Sequence, residues 1–208
     1  MRQSALAHLG LAARARADAG RVDAGGVLSE RAERGPIVVR GDGASVAFVD
    51  AVRAAVGVEP PRTPNTTAGA DDPGKGARLL WLAPDEWLLV VGRAAAAGAL
   101  AALGRALAGE HAAAVDAGDG RAAIGLAGRH AREVLMKGCP LDVDPRAFPV
   151  GACAGSTLAR AQVVLDHLRT DSLGFPVYDI YVHRSFAEYL WTWLGDAASE
   201  YGLRVAED

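Results

Sequence analysis

Lysine is nearly missing from this chain of 208 residues, occurring only at positions 75 and 137. The bias toward arginine and alanine reflects codon composition and carries no mechanism. With 25 acidic against 22 basic residues and a formal charge of -3, no basic stretch exists that could neutralise a phosphate backbone. That excludes a nucleic-acid partner. Cysteine is scarce too: Cys139 and Cys153 fit neither zinc spacing nor a CxxC pair, so they read as free, buried thiols in a reducing compartment. No apolar run approaches the length of a membrane span, and the stretch between Arg2 and Arg14 has no uninterrupted apolar core of the kind a secretory signal needs. The expected setting is the cytoplasm, with no membrane partner.

What is present is core. Half the residues are hydrophobic, enough for one compact domain or two fused half-domains. Residues 1–35 are rich in Ala, Arg and Gly and read as an N-terminal extension that docks on something. From Pro36 the pattern becomes regular: a strand over 36–40, a helix over 44–56, a hairpin over 79–91 turned by Pro84 and Asp85, a helix over 94–107 and a strand over 112–116. Residues 59–77 carry four prolines among Asn, Thr, Asp and Gly, and are expected to form a mobile loop without a regular element.

After the Gly118-Asp119-Gly120 turn the order repeats. A strand over 121–126 leads to a helix over 128–137 stopped by Gly138 and Pro140, then strands over 157–165 and 177–183. Ser185 with Glu188 has capping-box spacing at the start of a last helix, whose apolar face is Phe186, Leu190, Trp193, Leu194, Ala197 and Tyr201. Residues 203–205 supply a closing strand. The fold class is therefore α+β, two tandem β-α-β-β-α-β (ferredoxin-like) halves at 36–117 and 118–208.

Short motifs add little chemistry. Gly69 to Gly76 reads GADDPGKG, with P-loop spacing but no hydroxyl residue for magnesium and two aspartates that would repel a phosphate. Gly118, Gly120 and Ala123 match a dinucleotide fingerprint, yet a strand follows them where a helix is needed. None of the five histidines is spaced for a metal, and Asp142 and Asp144 sit in a Pro-rich turn where short carboxylates bond local amides. No residue is assigned to catalysis, cofactor or metal binding. Three are candidates for a partner interface. Arg160 and Gln162 lie on an otherwise apolar strand, where Arg160 needs either Asp179 of the neighbouring strand or a partner's carboxylate. Trp191 falls off the apolar stripe of its helix, so either a partner covers it or it packs under the N-terminal extension.

Three blocks, LWLAPDEWLLV, DGRAAIGLAGRHAREVLMKGCPLDVDPRAFPVGACAGSTLARA and VHRSFAEYLWTWL, resemble the gamma subunits of heterotetrameric sarcosine oxidase. The resemblance implies a folate-binding, glycine-cleavage T-protein-like fold. It implies alpha, beta and delta partner subunits that hold FAD, FMN, NAD and zinc, with tetrahydrofolate as co-substrate. It also implies oxidative demethylation of sarcosine to glycine with formation of hydrogen peroxide and 5,10-methylenetetrahydrofolate. Within it this chain is expected to be structural. The alternative is a stand-alone folate-binding protein of the same fold, whose KGC-x-x-GQE segment this sequence follows through Lys137, Gly138 and Cys139 before departing as PLDVD.

Overall fold

The computed structural model describes residues 3–208, in two compact units. One comprises the residues up to Ala32, Gly120–Val150 and Gly155–Asp208; the other comprises Glu33–Asp119 and Gly151–Ala154.

The second unit is built on β2 (Arg34–Arg40), α2 (Val46–Val56), β3 (Thr67–Gly69), β4 (Arg78–Ala83), β5 (Glu86–Gly92), α3 (Arg93–Ala106) and β6 (Ala113–Asp116). Its sheet order is β3-β4-β5-β2-β6, the ferredoxin-like arrangement with β3 added at one edge. Ser45 caps α2 by accepting the Phe48 amide at 3.3 Å, and Gly57 ends it at φ 76°, a left-handed conformation suited to glycine. The buried face of α2 is Phe48, Val49 and Val52, which pack with Ile37, Val39, Leu79, Trp87, Leu89 and Leu103. Val46, on the first turn of the same helix, is 67% exposed. The proline-rich stretch corrects its expectation. It contains β3, its Pro61 carbonyl accepts the Trp87 indole N–H at 2.9 Å, and its Asp72 pairs with buried Arg34 at 3.2 Å.

The first unit contains α1 (Leu11–Asp18), β1 (Gly26–Glu30), β7 (Arg121–Ala127), α4 (Ala131–Met136), β8 (Cys153–Leu158) from Gly155 onward, β9 (Ala161–Thr170), β10 (Pro176–His183), α5 (Ala187–Ala198) and β11 (Leu203–Ala206). Its sheet order is β11-β1-β7-β10-β9-β8. The N-terminal stretch is thus no appended extension. Its strand β1 is inserted between β7 and β11, antiparallel to the first and parallel to the second, where a plain ferredoxin-like unit would join them directly.

Two further expectations are corrected. The strand read as 157–165 is two strands joined by a turn at Ala159 and Arg160, with Ala159 at φ 53°. The capping box does not form: a 3-10 turn over Arg184–Phe186 places Ser185 ahead of the α-helix, no side chain caps it, and the Glu188 carboxylate meets His8 at 3.1 Å. The buried face of α5 is Ala187, Leu190, Trp191, Leu194, Ala197 and Ala198, rotated from the expected stripe, while Phe186 is 42% exposed.

Candidate functional site

Across the six-stranded sheet, Ser29, Gly125, Asp179 and Asp166 stand in register on β1, β7, β10 and β9, so they share one face. Asp166 and Asp179 are fully buried and Ser29 is buried. A buried carboxylate needs a cation or donors. Arg31, just beyond β1, answers Asp179 with its Nε at 2.9 Å and also reaches Asp208. Burial alone would lower the Arg31 pKa, but the two carboxylates outweigh it and hold the guanidinium above its ordinary value. Only glycine leaves room for that path, since a Cβ at Gly125 would stand 2.5 Å from Arg31 Nε and from Ser29 Oγ.

The adjacent row carries His167 and Tyr178, directly paired. Their rings lie 4.6 Å apart, and His167 Nδ1 is 2.9 Å from the Phe148 carbonyl. Burial pushes the Tyr178 hydroxyl up, against the opposing pull of nearby Arg132. These contacts hold the rings in place.

The Lys137-Gly138-Cys139 segment is a packing node. The Lys137 ammonium bonds the Glu200 carboxylate and the Ala197 carbonyl and lies 4.7 Å from the centroid of the Tyr201 ring. Its hydrogen bond and charge hold Glu200 below the usual carboxylate range. Gly138 admits the Trp193 ring, which would lie 2.6 Å from a Cβ there, and the Cys139 amide closes the end of α4 on Leu135 O at 2.8 Å.

The Asp142–Arg146 turn is locally satisfied, as its sequence suggests. Asp142 accepts the Asp144 amide at 3.0 Å, and Asp144 accepts the Arg146 amide at 2.9 Å and its Nε at 2.8 Å. The Arg146 side chain and amide hold Asp144 at about 2, so it is a carboxylate at any physiological pH. With Arg129, Arg132, Glu133 and Met136 these aspartates line a cleft of about 610 Å³.

In the second unit the P-loop-like segment binds itself. Asp72 accepts the Gly74 amide at 3.0 Å and lies 3.6 Å from Lys75, leaving the lysine matched by the loop's own carboxylate. Burial raises the Asp72 pKa, but the Gly74 amide and Arg34 carry it below the usual value. A larger groove, about 870 Å³, is lined by Arg40, Asp42, Asp85 and His111, with Arg40 donating to Asp85 at 2.6 Å. Among the described residues no three His, Cys, Asp or Glu side chains gather where they could hold a metal ion.

Of the expected interface residues, Arg160 is exposed in the β8–β9 turn and Gln162 is exposed on β9. Arg160 is not mid-strand, and the carboxylate proposed for it, Asp179, belongs to Arg31. Trp191 is 3% exposed, so of its two alternatives the ring packs within the chain and is not left for a partner to cover. The N-terminal residues lie along the same helical region, with Arg184 donating to Gln3 O at 2.9 Å and His8 on Glu188. The exposed aromatics are instead Phe186 and Tyr189, edge to face at 6.4 Å. Arg31 escaped detection because GVLSE is too short an alternation to mark a strand.

The sarcosine oxidase, gamma subunit family model matches residues 40–200. Sarcosine oxidase gamma subunits from Arthrobacter sp and Corynebacterium sp. strain P-1 are 36% and 37% identical over 153 residues, 73% of this chain and 70% of each relative. A chain in the solved heterotetrameric sarcosine oxidase from Corynebacterium sp. U-96, in complex with pyrrole 2-carboxylate, aligns at TM-score 0.82 and 34% identity over 96% of both chains. The glycine cleavage system aminomethyltransferase T from Bartonella henselae aligns at TM-score 0.65 and 17% identity over 97% of this chain and 51% of its own, a likeness of fold. This chain, with its two ferredoxin-like units and its ion-paired sheet row, belongs to the sarcosine oxidase gamma subunit family.

Proposed function

We propose that this chain serves a heterotetrameric sarcosine oxidase as its gamma subunit, bracing and assembling the chains that hold the redox groups and contributing no reacting group itself. The observation that carries this reading is the alignment over 96% of both chains with a chain of the Corynebacterium enzyme, at 34% identity. In such an assembly alpha, beta and delta subunits hold FAD, FMN, NAD and zinc. Sarcosine is oxidised to glycine, oxygen is reduced to hydrogen peroxide, and the one-carbon unit passes to tetrahydrofolate. The setting is the cytoplasm.

A bracing role agrees with how the polar core is used. Asp179 is held by Arg31, His167 by Phe148 and Lys137 by Glu200, so these groups fix geometry. Catalytic groups on neighbouring chains need such rigid support. Arg160 and Gln162, both exposed, are candidate contacts to a partner. Trp191, buried in α5, belongs to that interface only by holding the helix beneath it.

The test is a tagged pull-down of the full chain from its native cytoplasm, with intact masses and a visible absorption spectrum. Larger chains with flavin absorbance support the reading. A lone colourless chain overturns it in favour of a stand-alone folate-binding protein, for which folate titration then gives the affinity.

A further inference from the structure

The five-stranded sheet ends at β6, and no strand lies beyond it among the described residues. Two other sheet edges are guarded. On β11, Asp18 accepts the Val205 amide and Arg21 donates to the Leu203 carbonyl, each at 2.9 Å. On β3, the Thr67 amide donates to the Gly151 carbonyl at 2.9 Å and Thr66 bridges Ala152. By contrast β6 reads Ala-Ala-Val-Asp, with no lysine, proline or bulge to discourage pairing.

Its backbone is oriented for an added strand. The Ala117 amide donates to the Pro36 carbonyl at 3.0 Å, and antiparallel alternation then turns the N–H and C=O of Ala114 away from β2. Its Val115 side chain continues one face of the sheet. Thr67, Leu80, Leu88, Val38 and Val115 form one registered row across the sheet. That row is fully buried at Leu80 and Leu88 but opens at Val115, 58% exposed, so the apolar surface runs out through the edge.

We propose that β6 is a strand-addition site for a basic, apolar extended segment of a partner subunit of the oxidase, which places an aliphatic side chain beside Val115. Glu110, Asp116 and Asp119 are all exposed around this strand. A basic, apolar segment complements the acidic character of this edge. The inference rests on the assembly reading above, and the experiment separates the two.

The full chain, wild type or carrying Ala114→Pro or Val115→Lys, is co-expressed with the oxidase partner subunits and recovered by its tag. Proline suits an edge position whose N–H is not used by the ladder, so Ala114→Pro keeps the β2–β6 pairing. Each substitution is expected to lower recovery of flavin-bearing chains about tenfold. In parallel, hydrogen exchange in the wild-type complex should slow at the Ala114 amide by about tenfold or more against the chain alone. Wild-type recovery with unslowed exchange at β6 overturns strand addition and leaves the assembly reading standing. Absence of flavin-bearing chains from the wild-type eluate overturns both. Protection that instead rises with the concentration of the isolated chain makes a second copy the occupant and overturns the proposal. Should Ala114→Pro fail to fold, Val115→Lys and the wild-type exchange data decide the matter.

Discussion

Arg31 reaches over Gly125 to place its Nε 2.9 Å from the fully buried carboxylate of Asp179. The pair is worth more for what its loss would leave, a buried carboxylate short of its cation, than for its own attraction. Arg31→Ala is therefore expected to destabilise the protein by about 3–5 kcal/mol. Gly125→Ala, which pushes a methyl into the same path, is expected to cost about 1–3 kcal/mol. Urea unfolding followed by tryptophan fluorescence measures both. A Gly125→Ala midpoint equal to wild type would mean the guanidinium reaches Asp179 by another route.

Trp191→Ala is expected to act on the fold before it acts on any partner. Truncating a buried indole costs about 3–5 kcal/mol, whereas Phe186→Ala and Tyr189→Ala, on exposed rings, should change stability by no more than about 1 kcal/mol. Thermal unfolding of the isolated chain separates the cases: a large fall in Tm for Trp191→Ala and little change for the other two. If Trp191→Ala unfolds like wild type, the indole is not part of the core.

The fate of Trp191 shows which parts of the fold were legible. The alternation of β2, β4, β5, β7 and β10 and the stop of α4 by Gly138 could be read because each follows a local rule of period or turn chemistry. The orientation of α5 could not. It depends on the three-residue 3-10 turn Arg184–Phe186 before the helix, which Ser185 and Glu188 do not encode. The β8–β9 turn was hidden because Ala159 takes a left-handed conformation where no glycine or asparagine announces it. The place of β1 inside the sheet follows from its pairing with β7 and β11, residues far away in sequence. The ion-paired row was hidden with it, since Arg31 gains meaning only once β1 lies beside β7.

Gly138 and Lys137 join α4 to the end of α5, and each can be tested alone. Gly138→Ala places a methyl within 2.6 Å of the Trp193 ring and 3.1 Å of the Ala159 amide nitrogen, so a loss of about 1–3 kcal/mol is expected. Lys137→Met keeps the apolar stem and removes the charge. With the lysine gone, the Glu200 pKa should rise toward its ordinary value, read by side-chain carboxyl NMR. An unmoved Glu200 titration would show that the ammonium does not hold that carboxylate in solution.

Asp144 offers the sharpest pH signature. Its folded pKa, about 2, lies below the ordinary aspartate value because Arg146 donates to it from both side chain and backbone. A depressed carboxylate stabilises the folded turn at pH above the unfolded pKa, roughly 3.9. That contribution fades as pH falls toward the folded value. The carboxylate is open to solvent at the surface, so the effect belongs to the turn and not to global stability. Carboxyl NMR should show Asp144 titrating near 2, and Arg146→Ala should move the midpoint upward while the Arg146 backbone amide keeps part of the depression. A wild-type midpoint at the ordinary aspartate value would mean that the turn does not hold its side-chain bonds in solution. The wall of the 610 Å³ cleft would then be more mobile than its hydrogen bonds imply.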